Sequence, residues 1–393
     1  MSKFTIVIPT YWGGEKAEEA DDEIVFDHPT MLNEAGTLGR LLESLSIFKR
    51  VEGKIAVISV ANTRTIAGAV NNRVDQIIEP FRSSYDIINI GQDTLEHISD
   101  RLDSRGVSKS ALELVKLDNY AAVRNICSLA GVINGTNYTI FIDDDEIFSD
   151  PEFFNKIEES MGKAVAGEKI EALAGYYLQP HTFRLDEDKV PDWRAPWWNN
   201  TAAMNAAFER IIGQAPRLKP TPFVFGGNMT LSLKALKQIP FDPKITRGED
   251  IDFLLNARIN GVTFYLDRKL AITHLPPEYE QKEWKKVRED AIRFLYERKK
   301  VRDHPQLNLQ ELQPYPGMFL GADLEERIIK TNELLKQKYQ TENDDQGVRE
   351  CEKTIVMVSE NRWDRIDTSK WLRQLVTRWQ EVTTAAEGIE MQE

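Results

Sequence analysis

The segment Tyr138-Thr-Ile-Phe-Ile142, followed at once by Asp143-Asp144-Asp145, decides how this chain is read. Five residues rich in β-branched and aromatic types make the pattern of a buried strand. Three carboxylates at its C-terminal tip cannot be core, because burying unpaired charge is prohibitive. They need a cation, and oxygen ligands at a strand end suit a hard divalent one. On the N-terminal side, Thr5-Ile-Val-Ile8 reads as a short strand stopped by Pro9, and an acidic loop follows over residues 13–34. A helix then carries Leu38, Leu41, Leu42, Leu45 and Phe48 on one face. Ile55-Ala-Val-Ile-Ser-Val60 and Tyr85-Asp-Ile-Ile-Asn-Ile90 read as further strands with a polar helix between them. A looser segment leads to a helix near residues 121–130. Alternation of this kind predicts an α/β fold, a mostly parallel central sheet with helices on both faces. Ligands of such sheets bind beyond the carboxyl ends of the strands, where the three Asp residues fall.

The second half changes character. Ile170-Glu-Ala-Leu-Ala-Gly-Tyr-Tyr-Leu178 reads as a strand, and residues 181–221 form an excursion rich in Pro, Trp and charge. Phe223-Val-Phe225 meets Gly226-Gly227-Asn228, where the backbone can approach another group closely. A helix over residues 249–260 precedes two strands, 262–266 and 270–273, the second followed by His274. Beyond Pro276-Pro277 the pattern is almost wholly helical, which sets a boundary near residue 278. The donor half is expected in 1–150, the acceptor half in 151–278, and a C-terminal helical extension in 279–393. Residues 340–350 are polar enough to read as a mobile linker.

Composition removes several classes of function. With 393 residues, 41% hydrophobic and 29% charged, the chain is long enough for a main domain and an extension. A net charge of −13 argues against nucleic acid and anionic membranes as partners. Cys127 and Cys351 are too few for a disulfide framework or a thiolate zinc site. No run approaches the ~20 apolar residues of a membrane span, and the opening residues lack a secretory pattern. A soluble, cytoplasmic protein with no transmembrane segment is expected. The C-terminal helices offer an interface for a homo-oligomer.

Several segments in order resemble the nucleotide-sugar-dependent glycosyltransferases of the GT-A fold, especially those of the family 2 type. The resemblance spans roughly residues 4–276. Pro9-Thr10-Tyr11 closes the opening strand, and Ala121-Ala-Val-Arg-Asn125 opens a helix upstream of Phe141-Ile-Asp-Asp-Asp145, which is similar to the family's DXD motif. Phe225-Gly-Gly-Asn228 resembles its acceptor-side glycine segment, and Arg247-Gly-Glu-Asp-Ile-Asp252 its Glu-Asp motif. His274 stands where many members carry a late metal ligand.

The resemblance implies a Mn2+- or Mg2+-dependent transfer of a sugar from a nucleotide-diphosphate donor to a hydroxyl acceptor, either a small molecule or an oligosaccharide. Asp145 and His274 would hold the metal. Pro9, Thr10, Tyr11, Asn62, Arg124, Asp143 and Asp144 would seat the donor, with Asn62 standing where the family carries an Asp after its second strand. Gly226, Gly227, Asn228 and Trp197 would face the acceptor. Asp250, with Glu249 beside it, would deprotonate the attacking hydroxyl in an inverting reaction; a placed base contributes ~10²–10⁴-fold. Without the resemblance, acids at this helix start are equally read as dipole partners, Arg124 as a salt bridge, and Trp193, Trp197 and Trp198 as anchors for the excursion. Arg247 and Lys219 are further cations to offset donor charge.

Four alternatives stay open. A retaining enzyme could make a glycoside of a small hydroxy acid such as glycerate. A nucleotidyltransferase would share the sheet, but residues 9–14 lack the arginine its first loop needs. A sugar-nucleotide-binding protein could lack transfer altogether. A phosphatase of the haloacid type would want Thr or Val where Ile147 stands.

Overall fold

The computed structural model describes residues 3–14, 26, 29–165, 167–179, 181–277 and 282–391. The strands are β1 (Phe4–Gly13), β2 (Thr30–Met31), β3 (Lys54–Ala61), β4 (Asp86–Ile90), β5 (Tyr138–Phe141) and β6 (Glu146–Ile147). They continue with β7 (Ala164–Val165), β8 (Glu168–Lys169), β9 (Ala172–Leu178), β10 (Leu218–Pro220), β11 (Met229–Ser232) and β12 (Phe264–His274). The main sheet runs β10-β12-β9-β11-β5-β1-β3-β4, with β2 beside β1 and β6 beside β12. Strands β5, β1, β3 and β4 are mutually parallel, as are β9 and β12. Strand β11 is antiparallel to both β5 and β9. Because β11 alone reverses between these two parallel sets, the C-terminal ends of β1, β3, β5, β9 and β12 share one edge with the N-terminal end of β11. The mostly parallel α/β sheet expected from the sequence is the one observed.

Alternation along β1 separates two cores, as the two-residue period of a strand requires. Ile6 and Ile8 pack with the helices Leu38–Ser44, Ala67–Ile78 and Phe153–Ser160 on one face. Val7 packs on the other, with Tyr120–Asn134, Glu249–Ile259 and the C-terminal helices.

Three local readings change, and one strand is new. Strand β1 does not stop at Pro9 but continues to Gly13. Ile142 N–H donates to the Val7 carbonyl, so Val7 and Pro9 present their backbone groups toward β5. Pairing with β5 ends at Val7, so the missing Pro9 N–H leaves no ladder bond unmade. The looser segment before residue 121 contains the helix Gln92–Ser104, with Leu95, Ile98 and Leu102 buried. A strand not anticipated from the sequence, Met229–Ser232, follows the glycines. The two late strands are one, β12, whose pairing with β9 shifts register between Leu266 and Ala271.

The C-terminal helices join the body rather than hanging from it. In the helix Glu283–Asp303, the fully buried Lys300 ammonium lies 2.9 Å from Asp242 and 2.7 Å from Asp252. Burial opposes its charge, yet those two carboxylates raise its pKa above the ordinary lysine value. Trp379 Nε1 donates to the Leu236 carbonyl at 2.7 Å, and Trp371 Nε1 to Asp242 at 3.0 Å. The boundary expected at 278 lies outside the described residues. Residues 340–350 are no linker: the helix Leu324–Glu342 ends at Asn343 in the left-handed region (φ 57°), and Asp345–Glu360 starts at once. Gly347 then packs so closely on Tyr339 that a Cβ would lie 2.4 Å from its ring.

Candidate active site

The shared strand edge opens into a cleft of about 350 Å³. Pro9, Tyr11, Arg124, Asp143, Asp144, Asp145, Gly226, Glu249 and Asp250 all line it. These residues lie far apart in sequence, and sheet topology alone gathers them.

At one end, β6 turns back from the Asp triplet and pairs antiparallel with β12, setting His274 opposite Glu146. The His274 Nε2 therefore stands 3.2 Å from Asp145 Oδ2. The His274 ring stacks on Tyr177, with centroids 4.6 Å apart. Arg40 clasps this corner by donating to the Leu275 carbonyl at 2.6 Å. Thr10 lies behind the triplet and donates its hydroxyl to Asp144 at 2.6 Å. Burial, then the charge of Asp145, pushes the Asp144 carboxyl up to about 7.

In the middle sits Arg124, on the second turn of the helix Tyr120–Asn134, whose N-terminus is capped by Asn119 accepting from Ala122 N–H. Its guanidinium lies 2.8 Å from Asp143 and 3.1 Å from Glu249. Burial works against the charge, but these two carboxylates hold its pKa well above the usual arginine value. Arg124 thus joins the Asp triplet to the Glu-Asp segment.

At the far end, Gly248 (φ 72°) starts the helix Glu249–Ile259 in a conformation that suits glycine. Its missing side chain also leaves room for Arg293, whose Nη1 would lie 2.1 Å from a Cβ. Asp250 accepts from Gly226 N–H at 3.2 Å and from its neighbour Ile251 N–H at 2.7 Å. Burial first, then the Glu249 charge, raises the Asp250 carboxyl to about 7.

The glycine segment serves close approach. A Cβ on Gly226 would lie 2.7 Å from Arg124, and one on Gly227 2.1 Å from Glu146 and 2.7 Å from Asp143. Gly227 N–H donates to the Tyr177 hydroxyl at 2.9 Å. Asn228 lies deeper. It is buried and donates to the Tyr176 and Leu270 carbonyls, at 3.0 and 3.3 Å, across the register shift of β12.

Three expected residues lie away from the cleft. Asn62 lines a separate cavity beyond β3, and its side-chain carbonyl accepts from Phe26 N–H at 3.1 Å. Trp197 is half-buried outside the cleft lining, its carbonyl accepting from Arg327 at 3.0 Å. Lys219 is spent on the Gln214 carbonyl. Trp198 packs against Phe294 and Phe319 and so anchors the excursion to the C-terminal helices. The acidic loop expected over 13–34 falls largely outside the described residues, which omit 15–25, 27 and 28.

Sequence reasoning passed over Tyr177, Glu146, Arg293 and Tyr315. Tyr177 was within reach, since it sits near the C-terminal end of an anticipated strand. Glu146 is fully buried beneath Asp143, accepting its N–H at 3.2 Å, and burial raises its pKa well above the ordinary value. Arg293 and Tyr315 line the cleft from the C-terminal helical region, and no local signal marks them.

No protein-family model and no curated protein matches this sequence. Among solved structures the chain is similar to mannosyltransferase PcManGT from Pyrobaculum calidifontis in complex with GDP-Man and Mn2+. Identity there is 10% over 97% of this chain and 86% of that one, with a TM-score of 0.46. It is also similar to GalNAc-T7 with UDP, GalNAc and Mn2+, at 12% identity over 84% and 55% of the two chains and a TM-score of 0.39. A mycobacterial protein stands at 12% identity, 75% and 74% coverage and a TM-score of 0.39. Likeness at this level decides nothing about chemistry, which rests on the side chains gathered in the cleft. Among the described residues, no helix is long and apolar enough to cross a membrane.

Proposed function

We propose that this chain is a metal-dependent glycosyltransferase of the GT-A type, moving a sugar from a nucleotide diphosphate to a hydroxyl acceptor with inversion. The observation that carries the reading is the gathering of three parts along one cleft. These are the Asp145–His274 pair at 3.2 Å, the Asp143–Arg124–Glu249 chain, and the Asp250 carboxyl anchored on Gly226 N–H at 3.2 Å.

The Asp145–His274 pair fits a divalent cation. Adjacent ligands of an octahedral ion with bonds of about 2.1 Å stand about 3 Å apart. Among the described residues no cluster of three or more His, Cys, Asp or Glu forms a closed site. Donor phosphates and water would therefore complete the shell. An imidazole in the set favours Mn2+ over Mg2+. When bound, the ion would neutralise the diphosphate as its charge develops.

The remaining chemistry belongs to the chain. Arg124, between Asp143 and Glu249, aligns both acids, leaving Asp143 to accept hydrogen bonds from the donor. Asp250, tied to Gly226 N–H, takes the proton of the acceptor hydroxyl as its oxygen attacks the anomeric carbon. The carbon–oxygen bond to the diphosphate breaks, and the nucleoside diphosphate leaves with that electron pair. A base titrating near 7 is matched to this task. Glu249 is the poorer base, because its carboxylate is committed to Arg124.

The test is a panel of nucleotide sugars with Mn2+, read by thermal shift and by release of nucleoside diphosphate. A donor that raises stability only with metal and is turned over supports the reading. Binding without turnover would leave a sugar-nucleotide-binding protein.

A further inference from the structure

We propose that the acceptor is an uncharged alcohol whose hydroxyl is carried beside an aryl group, an inference that rests on the transferase reading. The cleft lining beside Asp250 includes an apolar wall. Met204, Phe208, Phe223, Phe225, Ile251 and Tyr315 line it. Phe208, Phe223 and Phe225 form a closed cluster, with ring centroids 5.0, 5.3 and 5.7 Å apart. Phe225 precedes Gly226, whose N–H holds Asp250, so the aromatic wall begins where the acceptor proton would be taken. Met204 and Phe225 line the cleft and are only half-buried.

Charge points the same way. Both arginines at this end are engaged: Arg293 lies 3.3 Å from Asp290 and donates to the Tyr315 hydroxyl at 2.9 Å, and Arg247 lies 3.3 Å from Glu289. A hydroxy acid such as glycerate would bring its carboxylate toward Glu249 and Asp250 and meet cations already paired. A free sugar can lay only a C–H face of its ring on these phenyl groups, and any hydroxyl turned toward them finds no hydrogen-bond acceptor, which costs affinity. An aryl group instead covers the whole wall and replaces the water there.

The test uses the full-length enzyme, Mn2+ and whichever donor releases nucleoside diphosphate in the panel. Transfer is compared among phenyl glucoside, benzyl alcohol, methyl glucoside, glucose and glycerate. We expect kcat/KM for phenyl glucoside to exceed that for methyl glucoside by about tenfold or more, in line with what apolar pockets discriminate. Benzyl alcohol separates an aromatic alcohol from a glycoside with an apolar aglycone as the source of the group. Met204→Gln should shrink the phenyl-to-methyl ratio, and Met204→Leu should restore it. Equal or better use of glycerate, glucose or methyl glucoside overturns the inference, as does a ratio indifferent to Met204→Gln. Donor turnover with no apolar preference sinks this inference alone; no turnover with any donor sinks the transferase reading as well.

Discussion

Asp145 and His274 stand 3.2 Å apart because His274 is the register partner of Glu146, the residue that follows Asp145. The two side chains are thus set by backbone pairing of β6 with β12. A pair fixed in this way is ready before any ion arrives, which lowers the ordering cost of binding one.

Replacing either side chain should therefore remove the metal effect and little else. In Asp145→Ala and His274→Ala we expect the Mn2+-dependent rise in melting temperature with donor to vanish, while the protein without ligand melts normally. Ligand at 100 times its Kd contributes about 2.7 kcal/mol, so the lost shift is large enough to measure. An undiminished metal-dependent shift in both variants would falsify the assignment of these two ligands.

Asp250→Asn should lower kcat by about 10²–10⁴-fold while preserving the donor's thermal shift. The pH dependence follows from the direction of the Asp250 displacement. Burial and Glu249 raise this carboxyl to about 7, and it works as a base only when ionised. Activity should climb as pH rises through about 7 and level off above. A wild-type rate that is flat from pH 5.5 to 8.5, or an Asp250→Asn variant that keeps the climb, would assign the proton to another group.

Lys300→Met is expected to cost about 3–5 kcal/mol in urea denaturation, because it strands Asp242 and Asp252 in the core without their cation. The Asp252 carboxyl lies on the same helix as Asp250, so loss of this contact should also loosen the base. A variant as stable as the wild type would mean that the buried ammonium is replaceable and the C-terminal helices dock by apolar contact alone.

Glu297 makes stability depend on pH. It is fully buried, and burial pushes its carboxyl up to about 8, with Arg293 pulling the other way. The folded protein thus holds this proton more tightly than the unfolded chain does. The contribution is complete below the unfolded glutamate range and fades as pH climbs through about 8. Melting temperature should fall more steeply between pH 5 and 9 in the wild type than in Glu297→Gln. Parallel slopes in the two proteins would remove Glu297 from the account.

The readings that held came from short-range patterns. The strand before Asp143 was legible because β-branched and aromatic residues run unbroken through it, and the helix carrying Arg124 because its most apolar residues recur at helical spacing. Pro9 misled because its cost depends on whether a neighbouring strand extends past it. Residues 340–350 misled because polarity marks a solvated surface, which a tight turn between two packed helices shares with a linker. The contact of the Asn228 amide with two carbonyls beside a distant register shift has no local signal either. Trp198 and its neighbours proved ambiguous for the same reason: aromatic content says that something is covered, and not what.

By itself the chain specified which segments become strands and helices, and that acids must crowd one strand tip, since backbone preference and the cost of burying charge act residue by residue. Only the folded arrangement decided that His274 faces Asp145, that Arg124 links two acidic segments, and that Arg293 and Tyr315 close the cleft. Those contacts depend on which strands lie side by side, and hydrogen bonds and ion pairs form only over a few ångströms, between groups that sequence separation does not foretell.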